Sequence, residues 1–186
     1  MEQKVRKGEE LNEINLKNFL KENDLISNIK SELKVLQFSN GFSNLTYSLA
    51  IENKEYVIRK PPKGAVYGHD MSREFKVLKG LNNGFNKAPI AYAYSEDNSI
   101  IGTSFYIMEK VNGKIITPRE FKERSIPNED YSTISKTWLK TFVELHNLDF
   151  NKLGLSELGK PDGYVERQVR NWGKQYLKAA TDDIKE

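Results

Sequence analysis

The sequence predicts an α+β fold in which an antiparallel sheet with a packed helix is followed by a helical region. Three observations support this prediction. Apolar residues alternate in short stretches before residue 110, turn residues separate those stretches, and apolar residues recur every three or four positions after residue 113. The chain therefore divides near Asn112 into a sheet part, residues 1–111, and a helical part, residues 112–186.

Two helices and five strands are predicted for the sheet part. Apolar residues with the spacing of an amphipathic helix run from Leu11 to Leu20. Helical spacing returns over residues 69–81, where Asp70 is suited to cap the amino-terminal end. The strands are expected at residues 29–38, 45–51, 55–60, 90–94 and 103–109.

Two amphipathic helices are predicted for the helical part. The first runs from about Tyr131 to Asn147 and has apolar residues at intervals of four, four and three. The second begins after Gly163 and carries Trp172 and Tyr176 on one face.

Composition excludes several classes of protein. The 186 residues contain no cysteine, which excludes disulfides, thiolate metal sites and cysteine nucleophiles. The net charge of +3 is spread along the chain, so no nucleic acid partner is predicted. Neither a membrane span nor a secretory leader is recognisable, and we expect a cytoplasmic protein without a membrane partner.

The first candidate site is the turn between the first two strands, which contains Gly41, Phe42, Ser43 and Asn44. A glycine in a turn lets backbone amides approach phosphate groups closely, and Ser43 and Asn44 add side-chain donors. Taken alone, the segment is more typical of an ordinary hairpin turn.

The second candidate site joins the third strand to the helix that follows it. Val57 and Arg59 share one face of the strand, where they could meet a base and its phosphates. Glu74 lies on or beside the apolar stripe of the helix, a position that a carboxylate rarely accepts unpaired, so Arg59 is its expected partner. A surface arginine on an edge strand remains the alternative.

The third candidate site is the turn at the boundary between the two parts. An apolar strand ends there, and exposed backbone groups at such a turn can pair with the edge of an adenine. Glu109 and Val111 are the residues expected to supply those groups.

Taken in order, these segments resemble the aminoglycoside phosphotransferase and choline kinase superfamily, protein-kinase-like enzymes that act on small molecules. Within it, the sequence is most similar to the phosphotransferase domains fused to, or encoded beside, acyl-CoA dehydrogenases. The resemblance covers residues 29–176 and is carried by the segments GFSNLTY (41–47), YVIRKPP (56–62), REFKVL (73–78), IGTSFYIME (101–109), LH (145–146) and GYVERQV (163–169).

The resemblance implies ATP-dependent phosphorylation of a hydroxyl, with Mg²⁺ bridging the phosphates. The implied fold is a protein-kinase-like N-lobe, with a five-stranded antiparallel sheet plus one helix, followed by the first helices of an incomplete helical C-lobe. By position, residues 41–44 would cover the phosphates, Arg59 would contact them and pair with Glu74, and Glu109 and Val111 would hold the adenine.

The family's catalytic segment, His-Gly-Asp with a later asparagine and a metal-binding aspartate, is not recognisable in this sequence. None of the aspartates has an asparagine five positions further on, so no catalytic or metal-binding residue is assigned and the 186-residue chain is predicted to be inactive by itself. The segment from Asp149 to Asn151 resembles a D-F-G metal-binding motif, and we interpret this resemblance as coincidence. His146 is interpreted as a packed structural histidine.

Two functional hypotheses follow. The first is the amino-terminal part of a small-molecule kinase whose substrate carries a hydroxyl, by analogy a hydroxylated acyl compound, with fusion to or association with an acyl-CoA dehydrogenase. It predicts that Trp172 and Tyr176 leave an exposed apolar patch. The alternative is a non-catalytic nucleotide-binding or interaction module with a kinase-like fold, whose apolar helical stripes a partner covers.

Overall fold

Strands from the described residues form one antiparallel sheet. In the computed structural model they are β1 (Glu2–Gln3), β2 (Lys34–Phe38), β3 (Leu45–Ile51), β4 (Lys54–Lys60), β5 (Ala91–Ser95) and β6 (Phe105–Glu109). Their order in the sheet is β1-β2-β3-β4-β6-β5. The structure describes residues 2–39, 43–64, 70–113, 116, 123, 127–160 and 162–179.

Five α-helices lie within the described residues: α1 (Glu13–Glu22), α2 (Met71–Leu81), α3 (Asn98–Ile101), α4 (Asn128–His146) and α5 (Tyr164–Ala179). The cap expected for α2 is confirmed, because the side chain of Asp70 accepts a hydrogen bond of 2.8 Å from the amide of Arg73. A 3₁₀ turn at Ser156–Leu158 lies between α4 and α5. The α+β class is thus confirmed.

The sheet differs from the prediction at two places. The two-residue strand β1, which pairs with Phe38 and Gln37, is too short to give an alternating pattern. The strand predicted from residue 29 begins instead at Lys34, because the segment before it wraps around a carboxylate. The amides of Ser27 and Asn28 and the hydroxyl of Ser31 all donate to Glu52.

The main core lies on one face of the sheet, beneath α1. Leu16 and Leu20 of α1 are fully buried in the same cluster as Tyr47, Ile58 and Ile107 of the strands. Side chains alternate along a strand, so the residues between these positions point to the other face. On that second face Arg59 stands opposite Thr46 of β3 and Tyr106 of β6, and α2 packs against β5 and β6.

Large apolar side chains of the two long carboxyl-terminal helices are exposed. Trp138 of α4 and Trp172 of α5 have 64% and 66% of their surface accessible. This agrees with the exposed patch expected at Trp172 and Tyr176. Among the described residues, no helix has the length and apolar character needed to cross a membrane.

Candidate functional site

The second face of the sheet brings Arg59 and Glu74 together as expected from their positions. Arg59 is the sixth residue of β4, and Glu74 lies in the first turn of α2. The Nε atom of Arg59 is 3.3 Å from Oε2 of Glu74, and each side chain keeps about a third of its surface accessible. Arg59 and Glu74 therefore form an ion pair near the carboxyl-terminal end of β4 and are not two separate surface charges.

The geometry of this ion pair leaves the guanidinium only partly satisfied. Arg59 Nε is buried and, in the part of the chain that is described, makes no hydrogen bond, because its approach to the carboxylate has the distance of an ion pair without hydrogen-bond alignment. A buried polar nitrogen without a hydrogen bond is uncommon in folded proteins.

Two neutral side chains hold the carboxylate of Glu74. Asn44 donates from Nδ2 to Oε1 over 2.9 Å, and the hydroxyl of Tyr106 donates to Oε2 over 2.9 Å. Asn44 and Tyr106 are buried, with 7% and 2% of their surface accessible. The carboxylate of Glu74 thus accepts one hydrogen bond from the end of the glycine turn and one from β6.

Burial decides the protonation state of the tyrosine in this cluster. Desolvation raises the pKa of Tyr106 far above its usual value, the Arg59 charge opposes the rise, and the Glu74 carboxylate adds to it. The hydroxyl therefore keeps its proton over the whole physiological range and remains a hydrogen-bond donor to Glu74.

A groove of about 410 Å³ opens beside the ion pair. Tyr106 and Met108 from β6 form one wall and α2 forms another. Arg73, the residue before Glu74 on α2, also lines the groove. The groove thus has two arginines, Arg59 and Arg73, among the residues of a largely apolar lining.

Three further residues predicted to bind the nucleotide are Val57, Glu109 and Val111. Val57 stands two positions before Arg59 on the same face and pairs with Met108 across the sheet, with 6% of its surface accessible. Glu109 closes β6, and its amide donates to the carbonyl of Ile90 over 2.8 Å. Val111 follows outside the sheet with an exposed side chain.

The glycine turn is described only at its end. Gly41 and Phe42 lie outside the described residues, and their predicted contact with phosphates remains a prediction. Ser43 is exposed, and Asn44, predicted as a phosphate donor, uses its amide nitrogen for Glu74.

The positions of Asp149 and His146 have structural explanations. Asp149 Oδ1 accepts hydrogen bonds from the amides of Asn151 and Lys152, so it caps a turn after α4. The ring of His146 contacts that of Phe142 and its Nδ1 lies 2.8 Å from the Phe142 carbonyl oxygen, but the residue is exposed and not packed inside. Within the described ranges, no group of three or more candidate metal-binding side chains is found.

Sequence reasoning missed the partners of Glu74 and the second arginine of the groove. Asn44 and Tyr106 lie 30 and 32 residues from Glu74 in the chain, so no local spacing connects them. The alternation of β6 was a usable signal, because it places the Tyr106 hydroxyl on the face that Arg59 occupies in β4.

This chain is similar to known proteins over most of its length. The phosphotransferase enzyme family matches residues 34–186. Acyl-CoA dehydrogenase family member 11 of Rattus norvegicus is 38% identical over 160 residues, which are 85% of this chain and 20% of that protein. Family member 10 of Mus musculus is 35% identical over 157 residues, 82% of this chain and 14% of that protein.

A solved structure shows the same fold. The crystal structure of a putative aminoglycoside phosphotransferase from Ralstonia eutropha matches with a TM-score of 0.70 and 29% identity, over 94% of this chain and 50% of that chain. The present chain thus spans about half of that protein and about a fifth of family member 11.

Proposed function

The chain belongs to the phosphotransferase enzyme family, and from this membership we propose that its sheet part binds ATP for phosphoryl transfer to a hydroxyl of a small metabolite. The observation that carries the proposal is the Arg59–Glu74 pair at the groove. A cation fixed by a helix carboxylate is the arrangement with which kinase-like sites hold the phosphates of a nucleotide.

The residues fit a nucleotide in the following roles. The guanidinium of Arg59 turns its Nε toward Glu74, and the rest of the side chain lines the groove, where it would contact the phosphates. Val57 would lie against the adenine. The carbonyl of Glu109 and the backbone of Val111 would meet the adenine edge, since the amide of Glu109 already serves Ile90.

The glycine turn and the metal ion complete the proposed site. Gly41, Phe42 and Ser43 would cover the phosphates, with backbone amides as donors. Mg²⁺, when bound with ATP, would neutralise charge on the phosphates. Asn44 would act through Glu74, because its Nδ2 atom already donates to that carboxylate.

We further propose that the 186-residue chain binds nucleotide without turnover. Phosphoryl transfer needs a group that orients the accepting hydroxyl, and the spacing that supplies it in kinases, an aspartate with an asparagine five positions on, does not occur in the sequence. An assay of the chain with ATP and candidate alcohols should give no phosphorylated product. Measurable turnover would contradict the proposal. A longer product of the same gene that carries this aspartate and asparagine would favour the kinase, and its absence would favour a non-catalytic module.

The substrate class is proposed by analogy with the relatives. Proteins named acyl-CoA dehydrogenase family members share this domain. We therefore propose a hydroxylated acyl compound as the phosphate acceptor, with fusion to or association with an acyl-CoA dehydrogenase. The cytoplasmic location expected from the sequence stays a prediction.

The proposed ATP site is tested by Arg59→Gln, which removes the charge and keeps much of the side-chain length. Calorimetric titration with ATP should show roughly 10- to 100-fold weaker binding, the range expected for the loss of a charge-assisted hydrogen bond. Arg170→Gln is the matched control, because Arg170 lies on the exposed surface of α5. Equal affinity of Arg59→Gln and the unaltered chain would refute the assignment.

A further inference from the structure

The carboxylate of Glu74 accepts hydrogen bonds from two side chains besides its ion pair with Arg59. We propose that Asn44 and Tyr106 are positioning residues, which fix the Glu74 carboxylate and thereby orient the Arg59 guanidinium toward the phosphates of the nucleotide. The inference rests on the proposed function, since it concerns the same site. It adds two residues that local sequence spacing does not connect to the ion pair.

Tyr106 is placed for this role by the register of the sheet. It stands directly opposite Arg59 on the neighbouring strand, so both side chains leave the sheet on the same face. Its ring lies 6.3 Å from that of Phe75, the residue after Glu74 on α2. Because the ring of Tyr106 lies between β6 and α2, its hydroxyl has little freedom to move. The hydroxyl donates a hydrogen bond of 2.9 Å to Oε2 of Glu74.

Asn44 is placed by the end of the glycine turn. It immediately precedes β3, whose second residue, Thr46, stands opposite Arg59. Its Nδ2 atom reaches Oε1 of Glu74 over 2.9 Å. The bond therefore ties the turn proposed to cover the phosphates to the helix that holds the phosphate-binding cation.

The two hydrogen bonds fix the orientation of the Glu74 carboxylate, which charge attraction to Arg59 alone does not. Attraction between a guanidinium and a carboxylate is weakly directional, and both side chains are about a third exposed, so solvent would let them rotate apart. Because each carboxylate oxygen accepts a bond from a buried donor, the plane of the carboxylate is fixed. Arg59 then has one favourable orientation against Oε2.

The test compares ATP with adenosine as ligands of the 186-residue chain. Tyr106→Phe removes one hydroxyl and keeps the ring, and it should weaken ATP binding roughly tenfold while adenosine binding stays unchanged. Asn44→Ala should act in the same direction and gives a second variant should the first fail to fold. Tyr94→Phe is the matched control, because the hydroxyl of Tyr94 bonds Glu96 and its ring also stacks on Phe75.

A double-mutant cycle shows whether the tyrosine acts through the carboxylate. In a Glu74→Ala background, Tyr106→Phe should have no further effect on ATP affinity. The inference is overturned if Tyr106→Phe weakens ATP and adenosine equally, or if its effect persists without Glu74. Failure of the unaltered chain to bind ATP would instead refute the proposed function, so the two failures are distinct.

Discussion

At the scale of single residues, Lys110 joins the amino-terminal strand to the boundary between the sheet and helical parts. Its Nζ atom lies 2.6 Å from Glu55 at the start of β4 and 2.9 Å from Glu2 in β1. The hydrogen bond from Lys110 holds the pKa of Glu55 below its usual value, and the bond to Glu55 in turn raises the pKa of Lys110. The cluster anchors Lys110, the residue that directly precedes Val111.

This cluster predicts a dependence of stability on pH. The pKa of Glu55 is lowered by folding, so its contribution to stability is present above the unfolded value of 4.5 and is lost as the pH falls through the folded pKa. Glu55→Gln should therefore lower the free energy of unfolding at pH 7, and the difference should disappear in acid. Urea unfolding across this pH range measures the difference, with Glu166→Gln on α5 as control. A difference that persists at low pH would argue against the ion pair.

The sequence predicted the Arg59–Glu74 pair because each residue was tied to a periodic element. Alternation along β4 fixed the face of Arg59, and the apolar stripe of α2 fixed the side of Glu74.

At the scale of elements, α2 is positioned by a glycine contact with the segment that follows α4. A Cβ atom on Gly80 would lie 2.8 Å from Leu155 Cγ and 2.9 Å from the carbonyl oxygen of Leu153. The backbone of α2 approaches this segment closely only because residue 80 has no side chain. Since Glu74 lies on the same helix, this contact also helps to place the site.

Gly80→Ala should destabilise the chain although alanine is the better helix former. Overpacking against Leu153 and Leu155 should cost about 1–3 kcal/mol, more than the gain in helix propensity of about 1 kcal/mol. Gly173→Ala is the matched control, because a Cβ there meets nothing within 4 Å and the helix should become more stable. Thermal unfolding of both variants measures the contrast, and two stabilised variants would show that α2 does not approach the segment closely.

An element could be predicted only when it was long enough for its apolar residues to show a helical or strand period. The long helices α4 and α5 and the central strands had enough residues to show their period, and they lie where they were expected. Strand β1 has two residues and helix α3 has four, too few for a pattern. The late start of β2 depends on a contact with Glu52, more than 20 residues away, that no window of sequence contains.

At the scale of the whole molecule, the two parts of the chain bury their apolar residues very differently. The sheet part has a continuous core in which Leu16, Ile58 and Ile107 are fully buried. On α5, Val165, Val169, Trp172 and Tyr176 follow each other at four, three and four positions, the spacing of one helix face, and all are exposed. Exposed apolar faces of this kind are typical of surfaces that another polypeptide covers.

The two tryptophans report directly on these faces, since Trp138 and Trp172 are the only tryptophans in the sequence and both are exposed. Dilute protein should therefore show the long-wavelength emission of solvated indole and strong quenching by acrylamide. At higher concentration the apolar faces should associate, which would shift the emission to shorter wavelength.

Val169→Lys should suppress this shift without lowering the thermal stability of the sheet part, because the residue lies on the exposed face of α5. Lys174→Gln, a change at another exposed position of the same helix, should leave the shift intact. Emission typical of buried indole in dilute protein, or a marked loss of stability in Val169→Lys, would mean that the face of α5 is already packed against the rest of the chain.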